Sequence, residues 1–526
     1  MLDTLNLRLE KIPLSETPYF SSTFLEYLDE NPKLNDFVGA FPNPESFGDL
    51  IENRNFPTEN RTELVRVLNE QYSGLVLSGK LIQNITALKL PRCFTVTTGH
   101  QLNIFTGPVY FIYKIVSTIR ISNILKEHYP QHEFVPVYWM ASEDHDFAEI
   151  NHFNLFGKEY TWNTPQKGAV GRFDPNGISE ILDQLKDCPD FFRDAYTNCN
   201  TLADATRSIV NHLFGDYGLV IVDSDHPDLK RMFAPVLKDE LLHQSNYQNV
   251  LESTERLKAN GYKTLVKPRE INLFYLKNGL RERIVKKGER YEVLGTDLTF
   301  TEQEILKQVE EHPEFFSPNV VMRTLYQETI LPNLAYIGGP GELTYWMQFK
   351  SSFDHYDIPF PILFPRNNVL VVNKAQTKKF DKLELSPSDL FLSPNELKST
   401  FVARNAKSSL HLESEKGRIG KIFEEIIEKI KMIDGSLTGY IKAEESKVLK
   451  NFDQIEKRLK KAEERNQEMA ISQLMGLKEK LFPNGSLQER HQNFLNFYIN
   501  NPQFIEELLE HLDPFDFKFH VLFEEG

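Results

Sequence analysis

The sequence predicts an α/β fold, a parallel-sheet core with connecting insertions, followed by a long α-helical coiled coil. Three observations predict it. Apolar, β-branched runs alternate with helical segments from about residue 91 to 385. Each of those runs ends in a crowd of polar or Gly-containing residues. Beyond about residue 400, apolar residues recur at three- and four-residue intervals among Glu, Lys and Arg. Open parallel sheets collect ligand-handling groups at the carboxyl ends of their strands, beside helix N-termini. The polar strand ends therefore also mark a candidate cleft.

Residues 1–90 read mostly as a helical segment joining the core, with Leu64, Val67, Leu68, Tyr72 and Leu75 at helical spacing. The strand Phe94-Thr95-Val96 leads through a Gly-containing loop to a helix opening near Pro108, where proline suits the first turn. A second strand, Phe134 to Met140, ends in Ser142-Glu143-Asp144-His145-Asp146, and a third, Gly218 to Val222, in Asp223-Ser224-Asp225-His226. Insertions interrupt the alternation near 153–205 and 245–325. The second holds a meander with a turn at Asn278-Gly279, a strong hairpin signal, and a capping-box helix start at Thr301 to Glu304. The core resumes with Asn333 to Ile337, ending in Gly338-Gly339-Pro340-Gly341-Glu342, and Phe360 to Phe364, ending in Pro365-Arg366-Asn367-Asn368. Residues 386–485 form the coiled-coil region, with Ile441, Val448, Phe452, Ile455 and Leu459 on a 3.5-residue register. That seam suits either self-association into a homodimer or an antiparallel hairpin within one chain. Residues 486–526 restart with a capping-box pattern, Ser486 to Glu489, as a helical segment whose aromatic tail (Phe515, Phe517, Phe519, Phe523) docks on the core.

Composition narrows the function. The 526-residue chain carries a net charge of −15, with no concentrated basic surplus of the kind nucleic-acid binders show. No apolar run approaches the roughly 18 residues that span a membrane. Three cysteines without a CxxC pair and an N-terminus without a signal-peptide pattern predict a cytoplasmic protein.

Four strand-end clusters supply the candidate residues. Gly99, His100, Gln101 and Asn103 stand between a strand and a helix N-terminus, where phosphate or carboxylate oxygens are favoured. Lys114 lies on that helix, either reaching back toward a bound phosphate or snorkelling outward. Spacing fits neither the phosphate-loop nor the dinucleotide fingerprint. Glu143, Asp144 and His145 pair carboxylates with an imidazole, which suits deprotonation of an ammonium nucleophile. The same loop lacks HExxH-like spacing, and no metal is predicted. Gly338, Gly339, Gly341 and Glu342 permit close backbone approach to a ligand.

In this order, the stretches Thr98-Gly99-His100-Gln101, Phe105-Thr106-Gly107-Pro108, Glu143 to Phe147, Tyr336 to Glu342, Leu481 to Gly485 and Leu487 to Arg490 resemble the bacillithiol-biosynthesis family BshC over nearly the whole chain. One departure is Gly-His-Gln-Leu-Asn-Ile at 99–104, where the family often carries Gly-Gln-Gln-Ala-Gly-Leu, which shifts weight from His100 to Gln101 and the backbone. The resemblance implies a Rossmann-like core related to nucleotidyltransferases and class I aminoacyl-tRNA synthetases, and a dimerising coiled coil. It also implies a cysteine ligase acting on glucosaminyl-malate and L-cysteine in the last step of bacillithiol formation. A carboxylate must be activated before it acylates an amine, so ATP or another activating nucleotide is expected. In this reading the loops at Gly99–Gln101 and Gly338–Glu342 hold nucleotide, Asp144 and His145 take the amine's proton, and Arg366 with Asn368 anchors the malyl carboxylates. Two alternatives compete: a non-catalytic coiled-coil dimer that binds a nucleotide or thiol and supports a partner ligase, and a nucleotidyltransferase acting on another sugar acid.

Overall fold

A computed structural model describes residues 6–525. Five strands build the central sheet: β1 (Cys93–His100), β2 (Glu133–Met140), β3 (Val220–Asp223), β4 (Asn333–Gly338) and β5 (Ile362–Pro365). Their spatial order is β3-β2-β1-β4-β5, and every neighbouring pair is parallel. The chain direction across the sheet reverses between β1 and β4. A crevice opens at such a reversal, outside the carboxyl ends of the strands.

Local chemistry explains why β1 occupies the centre. All eight of its residues are buried, and its Thr-rich run suits the pleat. The hydroxyls are not left bare. Thr95 and Thr97 donate to Asn333 Oδ1 (3.1 and 2.8 Å), and Thr98 donates to the Ile337 carbonyl (2.8 Å). Asn333 Nδ2 in turn donates to Glu328 Oε1 (2.8 Å). These bonds tie β1 to β4 at the reversal point, beyond the ladder itself. The crossover helix α1 (Tyr110–His128) is buried on most sides, as its nearly continuous apolar sequence requires. Two further helices start at strand ends, α2 (Pro227–His243) after β3 and α3 (Pro340–Trp346) after β4.

The 245–325 region contains the expected meander. Leu273–Lys277, Leu280–Lys287 and Arg290–Val293 pair antiparallel, and Gly279 adopts φ 73° at the first turn. The helix Glu302–Glu311 begins with a complete capping box at Thr301.

Two expectations need correction. The segment 486–526 is helical at Leu495–Tyr498 and Phe504–His511, but its aromatic tail ends as a strand. Lys518–Glu525 pairs antiparallel with Asn6–Pro13 and parallel with Asn368–Val372. Aromatic residues at every second position, buried as Phe519 and Phe523 are, carry the strand period of two; the same pairing places a strand ahead of the N-terminal helices. The pattern Ser486 to Glu489 is not a capping box either. Glu489 is fully buried and forms an ion pair with Arg366 (2.6 Å) while accepting from the Val369 N–H (3.0 Å). A buried guanidinium claims that carboxylate more strongly than a helix start does.

Beyond the sheet, α4 (Glu413–Lys431) and α5 (Thr438–Asn466) form an antiparallel hairpin within the chain, clasped by Lys416 on Asp453 (2.8 Å) and Glu456 (2.9 Å). Its seam is open on one side. Ile422, Ile455 and Leu459 remain 49, 45 and 39% exposed. A third helix, α6 (Glu468–Leu481), returns the chain to the core.

Replacing Asn333 by Ala would strand two buried hydroxyls and one carboxylate at the β1–β4 junction. Loss of a partner costs a buried polar group about 1–3 kcal/mol. The expected outcome is a clear fall in the thermal unfolding midpoint of Asn333→Ala, with Asn333→Asp intermediate, as read by calorimetry.

Candidate functional site

The five strand ends surround one cavity of about 630 Å³. Gly99, His100 and Gln101 come from the end of β1, Glu143, Asp144 and His145 from that of β2, and Ser224 from that of β3. Gly339, Gly341 and Glu342 follow β4, and Arg366 follows β5. Gln101, His145, Gly339 and Arg366 thus meet at one rim, as the strand-end reading requires. Gly338 lies behind it; a Cβ there would meet Leu343 Cδ2 at 2.8 Å, and its carbonyl accepts from the Arg366 backbone N–H (3.0 Å). Asn103 opens on a neighbouring side cavity instead, and Asn368 lines neither.

The loop after β1 is closed by the chain's own C-terminal segment. Asn493 Nδ2 donates to the carbonyls of Phe105 (2.8 Å) and Gly107 (2.6 Å). The Val109 N–H donates to the Gln492 carbonyl (2.8 Å), and the Phe111 N–H to that of Pro108 (3.1 Å). Phe105, Thr106 and Gly107 all adopt positive φ (50, 67 and 61°), a strained path for a β-branched threonine that the Asn493 clamp holds. The N-terminus of α1 is therefore occupied by protein. It does not offer the anion cradle that the sequence suggested.

Lys114 is also committed. Its ammonium, 2% exposed, pairs with Glu342 (2.5 Å) and donates to the Gly99 carbonyl (2.8 Å). Glu342 accepts in addition from the Gly339 N–H (2.8 Å) and the Tyr336 hydroxyl (3.0 Å). Burial pushes the Glu342 carboxyl up, but Lys114 and the Gly339 N–H overcome it and bring it down to about 2. Lys114 is neither a phosphate hook nor a snorkelling surface lysine. It ties the ends of β1 and β4 together.

The β2 loop splits its two carboxylates. Glu143 is buried against Lys230, which also approaches Asp225 Oδ1 (3.4 Å). Burial lifts its carboxyl to about 7, with Lys230 opposing and Asp225 assisting. Asp144 accepts from Gln101 Nε2 (2.8 Å) and from the His145 and Asp146 N–H groups (2.7 and 3.3 Å). Although burial pushes it up, these bonds and Arg281 hold Asp144 below the ordinary carboxylate range. Asp144 braces the loop and is a poor proton acceptor. Arg281 Nη1 stands 2.6 Å from His145 Nδ1. A guanidinium only donates, so Nδ1 accepts and the ring proton sits on Nε2. His145 is a hydrogen-bond donor here, not the base expected from sequence. His100 stacks on Phe111 (centroids 4.9 Å), and burial, with Lys114 nearby, lowers it to about 3. It is neutral, and its Nε2 has no hydrogen-bond partner.

Arg366 departs from its expected role. Both terminal nitrogens are taken by Glu489 (3.0 and 2.6 Å). Only Nε lacks a partner, 4.0 Å from where a Cβ on Gly339 would lie. The free guanidinium groups are others. Among the described residues, Arg323 and Arg490 line the cavity without a carboxylate within 4 Å, and Glu149 lines it without a cation. Arg323 is oriented by the Tyr336 hydroxyl (2.9 Å). Gly99 leaves room for that approach, since a Cβ there would lie 3.1 Å from Arg323 Nη1. Sequence reasoning missed Arg281, Arg323, Lys230, Glu149 and Arg490. Of these, Arg490 lay inside a stretch already singled out, whereas Arg281 on a meander strand and Arg323 on a short helix carry no local signal.

Fold and site together define a Rossmann-like small-ligand protein whose cleft is walled by a C-terminal coiled-coil domain. Comparison with known families gives the same division. Residues 7–367 match the model for the bacillithiol biosynthesis BshC N-terminal Rossmann-like domain, and residues 369–524 the BshC C-terminal coiled-coil domain. Relatives named "Putative cysteine ligase BshC" include one from Cytophaga hutchinsonii, 44% identical over 98% of both chains. One from Flavobacterium johnsoniae is 44% identical over 96% of this chain and 97% of its own. One from Bacillus cereus strain G9842 is 28% identical over 88% and 90%. The chain belongs to the BshC family.

Removing one member of a buried ion pair costs about 3–5 kcal/mol, less where the partner is partly wet, as Glu342 is at 26% exposure. Lys114→Met is expected to destabilise the ligand-free protein by about 2–4 kcal/mol, with partial recovery in the Lys114→Met/Glu342→Gln double variant. A ligand-binding lysine would leave ligand-free stability nearly unchanged.

Proposed function

We propose that the chain is a cysteine ligase that acylates the amine of glucosaminyl-malate with L-cysteine, giving bacillithiol in the cytoplasm. One observation carries the reading. The cavity is lined by Arg323, with no carboxylate within 4 Å among the described residues, by Arg366, whose Nε alone is unpartnered 4.0 Å from where a Cβ on Gly339 would lie, and by Glu143, whose carboxyl is raised to about 7. That is the complement of a molecule carrying carboxylates at one end and an amine at the other. The name of the relatives, as cysteine ligases, supports the cysteine half of the reaction.

Glu143 takes the ammonium proton before attack, since a base works best with a pKa near the working pH. Burial raises that value, Lys230 pulls it down and Asp225 pushes it up. His145 Nε2–H, held by Arg281, donates to the acyl oxygen as negative charge grows there. The Gly339 backbone, without a side chain, lets the malyl end approach Arg366 Nε.

An activating nucleotide is part of the proposal. Its phosphates would supply the leaving group that the cysteine carboxylate lacks. With the N-terminus of α1 covered, they fit the side-chain donors of the cleft rather than a backbone cradle. The open face of the α4–α5 hairpin is assigned to a second copy of the chain. A matching seam would cover Ile422, Ile455 and Leu459.

Purified protein supplied with glucosaminyl-malate, L-cysteine and ATP is expected to form bacillithiol, read by mass spectrometry. Absence of product with each nucleoside triphosphate in turn would overturn the assignment. Glu143 must be ionised to accept a proton, so the rate should rise about tenfold per pH unit below about 7 and level above it. Glu143→Gln should lose about 10²–10⁴-fold in rate and flatten that profile. Ile422→Glu with Ile455→Glu should convert a dimer to a monomer in sedimentation, with the cleft intact.

A further inference from the structure

A second cavity of about 330 Å³ adjoins the main one. The two share only four lining residues, Gln101, Tyr110, Glu149 and Arg490. Gln101 forms the partition; its Nε2 donates to Asp144 on the main side (2.8 Å) and to Glu149 (2.7 Å). The rest of its lining includes His152, His491 and Phe153.

The charges on the shared wall are uneven in a telling way. Elsewhere around the main cavity Lys114 is paired with Glu342 and Arg366 with Glu489, and Arg323 is the other guanidinium without a carboxylate within 4 Å among the described residues. On the wall stand one guanidinium, Arg490, and one carboxylate, Glu149, neither with an ion-pair partner among the described residues. Both are exposed, so neither is needed to satisfy the core. Arg490 nevertheless sits on rigid backbone. Glu489 before it is locked to Arg366, Gln488 exchanges hydrogen bonds with both backbone groups of Val371 (2.8 and 2.9 Å), and Asn493 clamps the loop after β1. A charge held ready in this way loses little freedom on binding.

We infer that the side cavity is the binding site for a zwitterionic α-amino acid of small side chain, with Arg490 on its carboxylate and Glu149 on its ammonium. One positive and one negative group on the wall shared with the main cavity match the two charges of such a molecule. The side chain points inward toward the two imidazoles. The inference rests on the reading of the main cavity as the acceptor site, and makes this amino acid the L-cysteine donor. Donor and acceptor then lie in separate chambers whose reacting ends meet at the Gln101 partition.

The test is binding of L-cysteine to the full chain by saturation-transfer NMR under reducing conditions, beside cysteamine, which lacks the carboxylate, and 3-mercaptopropionate, which lacks the ammonium. Each truncated analogue is expected to bind at least tenfold more weakly than cysteine. Glu149→Gln and Arg490→Gln should each weaken cysteine binding at least tenfold, weaken glucosaminyl-malate binding by clearly less because they stand at the edge of its cavity, and leave the unfolding midpoint unchanged. Arg490→Lys should recover part of the loss. Unchanged cysteine affinity in both variants would overturn the site, as would loss of acceptor and donor binding together. Failure of the ligase reading looks different: no amide forms with any nucleotide, yet cysteine still binds and both variants still weaken it.

Discussion

The ion pair between Arg366 and Glu489 holds the site together. Its members are 2 and 0% exposed, and they lie on opposite sides of the boundary between the Rossmann-like domain and the coiled-coil domain. Taking two such charges from water is expensive, and well-packed apolar residues often replace a buried pair without loss. Its value here is positional. It brings the turn Gln488–Arg490 over the carboxyl end of β5, carries Arg490 to the cleft, and leaves one guanidinium nitrogen of Arg366 facing Gly339. The cleft of the first domain is therefore completed by the second.

The remaining electrostatics follow from which charges are spent and which are left over. Lys114 and Glu342 neutralise each other across the sheet reversal, and Glu342 stays ionised far below ordinary pH. Glu143 and Asp144 are neighbours in sequence with opposite fates. Burial, with Asp225 nearby, raises the Glu143 carboxyl to about 7 against the opposing pull of Lys230. Asp144 accepts three hydrogen bonds and stays ionised. Separating two carboxyl groups in this way gives one loop both a rigid brace and a group able to exchange a proton near neutrality.

Much of this was legible in the sequence because it depends on local pattern. Strand runs ending in Gly99, in Glu143–Asp144–His145 and in Gly338–Gly339 announce the parallel sheet and the rim, and the Asn278-Gly279 turn announces the meander. What escaped was pairing over distance. Lys114 looks free until Glu342 is folded against it, and Arg366 looks like an open fork until Glu489 arrives from the far end of the chain. The Ser486 to Glu489 pattern is identical to a helix start, and only the buried guanidinium shows that its carboxylate is already taken. Arg281 and Arg323 lie on elements whose own sequence gives no reason to face a cavity. Their direction comes from the packing of the meander and of the helix Met322–Ile330 over the strand ends.

The path of the chain also joins the projecting hairpin to the chemistry. Asn368–Val372 and Lys518–Glu525 are neighbours in one sheet, and the whole coiled-coil excursion is made between them. The sheet clamps its base. Helix α6 returns from the hairpin, ends at Leu481, and passes through the turn Pro483–Gly485 directly into the segment bearing Glu489, Arg490 and Asn493. Buried Leu481, Phe482 and Leu487 fix that passage to the core. The same short stretch therefore receives the hairpin and delivers the wall of both cavities.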